Sequence, residues 1–374
     1  MAFSFYDCRD TISKYPEASY YVIYGERSNG KTYSALDYCL ERYFRNGEQF
    51  AYVRRWGEDI KRKEMQQLFA GHVANKRVER WSAHKYSSVE FYAGQFFGTA
   101  LSSTKNGIQK VTKTEQPIGF AFDINNAEHY KSISYPAIGT IVFDEFLSRN
   151  MYIPNEFVLF CNLLSTIIRH RNNVKIIMLG NPVNRYSPYF EEMGFKHIKE
   201  QKPGTVDIYK YGDSGLIVIV EFCQSSNKKG GKASDVYFAF DNPGLQMIKS
   251  GVWEMSIYPH LLESYRPKDV VQTFFIEFDR DILHCDIIAN SEELFMFIHR
   301  KTTPIKNERV DIVYTTHTPR AWNYRSCLTK CRDKLSAMIL KLVNEDRVFY
   351  STNEVGEVFR NYIIWSVSHD IRMQ

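Results

Sequence analysis

Gly25-Glu26-Arg27-Ser28-Asn29-Gly30-Lys31-Thr32 follows the apolar run Tyr20-Tyr21-Val22-Ile23-Tyr24 and opens a stretch with helical spacing. The octet fits G-x-x-x-x-G-K-[ST], and a strand before it with a helix after it is the setting a phosphate-binding loop needs. Gly25 and Gly30 free backbone N–H groups to wrap a β-phosphate. Lys31 can then reach the β/γ oxygens and Thr32 can ligate Mg²⁺, while the helix turns its positive end toward the anion. A glycine-rich turn with a stray lysine is the plainer alternative.

On either side of this octet, short apolar runs alternate with helical patterns, which predicts an α/β domain with a mostly parallel sheet between helices. Ala35, Leu36, Cys39, Leu40, Tyr43 and Phe44 repeat at helical spacing and stop at Gly47. A strand from Gln49 to Val53 ends in Arg54-Arg55-Trp56, and Glu58 to Phe69 reads as a charged amphipathic helix. Residues 78–124 read as aromatic hairpins with a turn at Ala93-Gly94. Ser102 to Lys113 is polar and is expected to form an exposed loop carrying Lys105, Lys110 and Lys113.

The strand Gly139-Thr140-Ile141-Val142-Phe143 ends in Asp144-Glu145. An Asp at a strand tip beside the loop can hold Mg²⁺, and an adjacent Glu can polarise an attacking water. A helix from Asn155 to Ile168 follows, then a strand from Val174 to Leu179 closing in Gly180-Asn181-Pro182. Asn181 has the form of a sensor of the γ-phosphate, or else serves the turn before Pro182. Arg169 and Arg171 end the intervening helix. Arginines there can project into a neighbouring subunit's site, or simply complement a helix C-terminus. The Asp-Glu pair, without an Asn-Lys-x-Asp tetrapeptide, points to ATP as the nucleotide.

The 374 residues suggest two domains, and 26 Phe with 25 Tyr leave ample material for two cores. No apolar run reaches membrane-spanning length, since Leu216 to Cys223 already contains Glu221. No secretory leader is expected. The seven cysteines are scattered. Cys327 and Cys331 could share a helix face but lack partners at metal-site spacing, which suits thiols in a reducing compartment. The net charge of +5 lies wholly in residues 1–200, with 26 Lys/Arg against 21 Asp/Glu, which permits a polyanion partner.

Runs at Val206–Tyr211 and Leu216–Phe222 suggest a β-ribbon, leading to a linker-like segment with Lys228, Lys229 and Lys232. Either lysine group could track DNA phosphates in a salt-sensitive, sequence-blind way, or be ordinary solvated surface. A second α/β module begins near residue 262, with strands at Val271–Phe278, Ile282–Ala289 and Leu294–His299 and a helix from Ser326 to Val343. Its Glu277, Asp279, Asp286, Asp311 and Asp333 show no spacing that unites them on two metal ions, so a docking or nucleic-acid-binding role is expected over nuclease activity.

The loop with Arg27 inside it, Gly47-Glu48-Gln49-Phe50, Tyr52-Val53-Arg54-Arg55 and Tyr135-Pro136 accompany Thr140-Ile141-Val142-Phe143-Asp144-Glu145-Phe146. With Tyr152-Ile153-Pro154-Asn155-Glu156 and Arg169-x-Arg171, this combination resembles the genome-packaging ATPase of phi-29-type short-tailed phages. The resemblance is firmest over the first 200 residues. It implies an ASCE-type P-loop ATPase domain (1–200), a short linker region (201–262) and an RNase H-like domain that has lost nuclease activity (263–374). It implies that Arg169 matches an arginine finger acting in trans, Lys131 a second interface cation and Arg27 an arginine within the loop. It also implies a homomeric ring, a pentamer in the family. That ring would dock on the portal of a prohead, through protein or a packaging RNA, and drive double-stranded DNA inward with ATP and Mg²⁺ in the host cytoplasm. A helicase or loader and a nucleotide-gated portal adaptor are the rival readings.

Overall fold

The computed structural model describes residues 6–103, 109–149, 152–224, 256–261, 264–290, 293–305 and 310–371. The chain divides into two bodies, Met1–Arg149 with Asn155–Glu254, and Asn150–Pro154 with Met255–Gln374. Lys105, Lys228, Lys229 and Lys232 lie outside the described residues, as does most of the expected linker.

In the first body the strands are β1 (Tyr20–Gly25), β2 (Gln49–Arg54), β3 (Ser88–Tyr92), β4 (Gln95–Ser103) and β5 (Gln109–Lys113). They continue with β6 (Gly119–Asp123), β7 (Ile138–Asp144), β8 (Lys175–Gly180), β9 (Thr205–Tyr211) and β10 (Leu216–Cys223). One sheet runs β3-β4-β6-β2-β7-β8-β1-β10-β9, with β5 paired to β4. Every pairing from β6 to β10 is parallel, and antiparallel strands flank that block on both sides. β7 is buried along its whole length and β1 beyond its first residue, as continuous apolar runs require in a sheet covered on both faces. β8 lies between the loop strand β1 and the Asp-Glu strand β7, the added strand expected of an ASCE domain.

The helices of this body are α1 (Cys8–Lys14), α2 (Lys31–Asn46), the short α3 (Arg62–Gln67), α4 (Ala70–Ala74) and α5 (Arg77–Trp81), then α6 (Glu156–Ile168) and α7 (Pro188–Glu192). Ala35, Leu36, Cys39 and Leu40 of α2 join Tyr21, Ile23, Phe50, Tyr52 and Val142 in one core. α2 ends at Gly47, where the helical spacing stops, and the glycine's φ of 71° forms a left-handed cap. Ala93 and Gly94, both with positive φ, form the expected tight turn between β3 and β4.

Three expectations change here. Glu58 to Phe69 is not one helix: a 3-10 turn at Gly57–Ile60 precedes α3, because Lys61 is extended between them. Ser102 to Lys113 is not simply a loop, since β4 and β5 pair with Leu101 opposite Val111 and Ser102 opposite Lys110. The ribbon β9–β10 is no linker: β10 pairs in parallel with β1 from Tyr20 to Gly25, so the first body runs past the boundary drawn at residue 200.

In the second body an antiparallel meander of β11 (Val270–Phe278), β12 (Asp281–Ala289) and β13 (Leu294–Arg300) carries the sheet. β14 (Val313–Thr315) adds in parallel to β11, β15 (Tyr324–Arg325) to β14, and β16 (Val348–Tyr350) to β13. A meander whose first strand takes a parallel strand on its free side is the arrangement expected of an RNase H-like sheet. The helix expected from Ser326 starts instead at Lys334 and runs to Asn344, because the Asp333 side chain accepts from Ser336 N and caps it there. Cys327 therefore lies outside that helix, with its Sγ 3.0 Å from Ser366 Oγ. Among the described residues, no helix is long and apolar enough to cross a membrane.

Candidate nucleotide-binding site

Gly25 ends β1 against β10, where a Cβ would meet the Cys223 carbonyl oxygen at 2.2 Å, so no side chain fits. Ser28 and Gly30 turn the loop with φ of 58° and 96°, and Gly30 delivers the chain into α2. Buried Asn29 braces the turn: its Oδ1 accepts from Lys31 N and Nζ, and its Nδ2 donates to Cys223 Sγ. Lys31 Nζ also donates to the Gly25 and Glu26 carbonyls at 3.0 and 2.6 Å and to Asn181 Oδ1 at 3.2 Å. Burial pulls the lysine pKa down, against the pull of Cys223, Asp144 and Glu26. An anion among these donors would favour the charged ammonium.

Asp144 stands at the tip of β7. Thr32 Oγ1 donates to its Oδ1 at 3.1 Å, and Tyr52 Oη donates to its Oδ2 at 3.0 Å. Burial raises its pKa; Arg54, the Tyr52 hydroxyl and the Thr32 hydroxyl pull the other way. The hydroxyl and carboxylate oxygens of Thr32 and Asp144 are the hard donors Mg²⁺ prefers, already side by side. Glu145 follows with φ of 58°, a conformation costly for a non-glycine residue and concentrated at functional sites. Arg54, at the end of the adjacent β2, donates to Glu145 Oε2 at 2.7 Å, and its buried Nε has no hydrogen-bond partner among the described residues. Next to it, buried Arg55 donates to Glu156 at 2.8 Å and to the Phe146 carbonyl at 2.7 Å, tying the segment after β7 to the start of α6. Breaking a buried pair of this kind costs about 3–5 kcal/mol.

Asn181 closes the constellation from the tip of β8. Gly180 before it packs against Phe146 and Leu147, where a Cβ would come within 2.9 Å of the Phe146 ring. Ser28, Gly30, Lys31, Thr32, Asp144, Glu145 and Asn181 line one cleft of ≈ 270 Å³ at the carboxyl ends of the parallel strands, the position where open α/β sheets bind ligands. Arg27, inside the loop, is exposed.

Arg169 and Arg171 lie at the other end of the sheet. Arg169 donates to the Ile133 carbonyl at 3.1 Å, and Arg171 to the carbonyls of Tyr135, Pro136, Ile138, Ile167 and Ile168. Ile133, Tyr135, Pro136 and Ile138 precede or begin β7, Ile167 and Ile168 end α6, and both arginines precede β8; Asp144 and Asn181 stand at the opposite ends of β7 and β8. Six residues of β8 span roughly 17–20 Å, beyond the reach of either side chain to its own cleft. Arg171 spends its donors on backbone carbonyls, as a cap does. Arg169 is exposed and holds φ of 53°. Lys131, two residues from Arg169's contact at Ile133, pairs with Glu128.

Of the lysines considered for DNA, Lys110 is exposed on β5, while Lys113 pairs with Glu90 at 2.8 Å. In the second body Glu277 pairs with Arg320, Asp333 caps its helix and pairs with Arg325, and Asp279 occupies the β11–β12 turn. Sequence reasoning assigned no role to Asn29, Tyr52, Arg54 or Arg55. The basic pair ending an apolar strand was the available signal, but only the adjacency of β2 and β7 gives it meaning.

A family model described as the Podovirus DNA encapsidation protein (Gp16) matches residues 107–209. The DNA packaging protein of Bacillus phage B103 is 27% identical over 263 residues, covering 62% of this chain and 73% of that one. The DNA packaging protein of Bacillus phage phi29 is 30% identical over 194 residues, 50% of this chain and 49% of that one. The fold is similar to that of the solved Phi-28 gp11 DNA packaging motor, with a TM-score of 0.52 at 19% identity and coverage of 97% and 98%. Loop, strand order and sequence thus converge on one likeness: this chain resembles the DNA packaging proteins of the phi29-type phages.

Proposed function

We propose that this chain is an ATP-driven motor that translocates double-stranded viral DNA into a preformed prohead, hydrolysing ATP at the interfaces of a homomeric ring. The observation that carries the reading is the convergence of Lys31, Thr32, Asp144, Glu145 and Asn181 on one cleft, in a chain whose relatives are DNA packaging proteins. The loop N–H groups and Lys31 bind the phosphates, Thr32 and Asp144 hold Mg²⁺, Glu145 polarises water, and Asn181 senses the γ-phosphate. The metal would neutralise charge on the phosphoryl group. Arg169, out of reach of its own cleft, would serve the neighbour's, with Lys131 beside it. By the resemblance the ring has five members and docks at the portal in the host cytoplasm, directly or through a packaging RNA. Lys110 is the candidate for tracking DNA phosphates.

The test is packaging of linear double-stranded DNA into purified proheads. DNase-protected DNA should require both this chain and ATP. Unwinding of forked DNA without proheads would favour a helicase, and negligible ATP turnover on proheads would favour an adaptor.

Arg54 provides a pH test. Burial raises the Asp144 pKa and the Arg54 charge opposes it, so Arg54→Met leaves burial less opposed. Asp144 then loses its proton only at higher pH, and the acid limb of kcat/KM should move upward. Arg54→Lys, which keeps the charge, should restore most of the limb. An acid limb unmoved in Arg54→Met would contradict the assignment of Asp144.

A further inference from the structure

One face of the β11–β12–β13 meander carries chemistry that the motor reading leaves unused. The register sets Thr273 opposite Asp286, Phe275 opposite His284, and His284 opposite His299. Because side chains alternate across a sheet, these groups share one face. The other presents Phe274, Ile276, Cys285, Ile287, Met296 and Ile298, all buried.

From this geometry we propose a divalent transition-metal site of the zinc type, with His284, Asp286 and His299 as its ligands. One ligand atom from each lies within 4.8 Å of the other two. His284 Nε2 is 3.0 Å from Asp286 Oδ1, close to the roughly 3.3 Å that tetrahedral zinc imposes between ligand atoms. The two imidazoles stack with centroids 4.5 Å apart and an interplanar angle of 21°. Rotation of the rings about their side-chain bonds would direct their nitrogens to a common ion. Two imidazoles and a carboxylate suit zinc and its first-row neighbours rather than Mg²⁺. Three protein ligands leave a fourth position for water or a partner's donor.

The surroundings are those of a metal site. Asp286 is buried, and Tyr265 Oη and Thr273 Oγ1 donate to its two oxygens at 2.8 and 2.6 Å, fixing the carboxylate as outer partners of metal ligands do. His299 Nδ1 lies 3.2 Å from the Arg300 carbonyl, which can only accept. The proton therefore sits on Nδ1, and Nε2 keeps its lone pair for the ion.

The experiment uses untagged full-length protein, freed of metal with a chelator and titrated with Zn²⁺ against a chromophoric competitor without nucleotide. We expect one ion per chain with a Kd below about 1 µM. His299→Gln and Asp286→Asn should each weaken binding about 100-fold or more, and Thr273→Val, which removes only an outer hydrogen bond, about 10-fold. Co²⁺ should give the visible absorption of a tetrahedral site in the wild type and lose it in His299→Gln. Lys31→Ala should bind as the wild type does, which separates this site from the nucleotide cleft. No zinc bound below about 10 µM by the wild type would overturn the proposal, as would equal affinity in wild type and His299→Gln.

Discussion

Lys31→Ala is expected to abolish ATP turnover while leaving the protein folded. The ammonium is buried among the carbonyls of Gly25 and Glu26 and the side-chain oxygens of Asn29 and Asn181, so it is held where the phosphates would arrive. Charge-assisted hydrogen bonds contribute about 1.5–3 kcal/mol each, and losing those to the phosphates should weaken ATP binding roughly 10- to 100-fold. The chemical step should suffer more. Charge developing on the β/γ oxygens loses its nearest cation, and removing a single preorganised donor already costs about 10²–10³-fold in kcat. Steady-state turnover, nucleotide affinity and a thermal melt check the expectation together. Near-normal turnover in a folded Lys31→Ala protein would remove the phosphate-loop assignment.

Arg169→Ala should lose about 10³-fold or more in turnover while keeping nearly full ATP affinity, because a finger acts on charge that develops only in the transition state. The alternative is a helix cap, and the backbone separates the two. Arg169 holds φ of 53°, a conformation that costs a non-glycine residue about 1–3 kcal/mol and that glycine adopts readily. Arg169→Gly should therefore be at least as stable as the wild type. If the residue only ends the helix, that variant keeps its activity; if it is a finger, that variant is as inactive as Arg169→Ala. Arg169→Lys should recover little, since a point charge does not reproduce the planar fork.

Both halves of the candidate cleft could be picked out in the sequence because each is contiguous, and the structure brings them together. The loop motif and the apolar run ending in Asp144-Glu145 carry their chemistry in adjacent residues. Tyr52 and Arg54 could not, since they meet the carboxylates only where β2 lies beside β7, and strand adjacency is a property of topology. The runs at 206–211 and 216–222 were read correctly as a β-ribbon but assigned to a linker region, whereas the ribbon joins the sheet of the first body. Its alternating partner β9 fits an edge, whereas the more continuous apolar run of β10 belongs to a strand paired on both sides. Asp333, three residues before Ser336, was a cap signal overlooked in favour of apolar periodicity. His284, Asp286 and His299 meet through cross-strand register, which no local pattern in the chain announces.

In the proposed ring each catalytic site is completed by a neighbouring subunit. Mixing Arg169→Ala with Glu145→Gln at constant total protein, assembled on proheads, tests it most directly. Glu145→Gln should bind ATP yet turn it over poorly, and each variant alone should be nearly inactive. Mixed rings would contain interfaces that pair an intact finger with an intact base. ATP turnover at intermediate ratios should therefore rise well above both parents. A straight line between the two inactive parents, with no rescue at any ratio, would contradict catalysis in trans by Arg169.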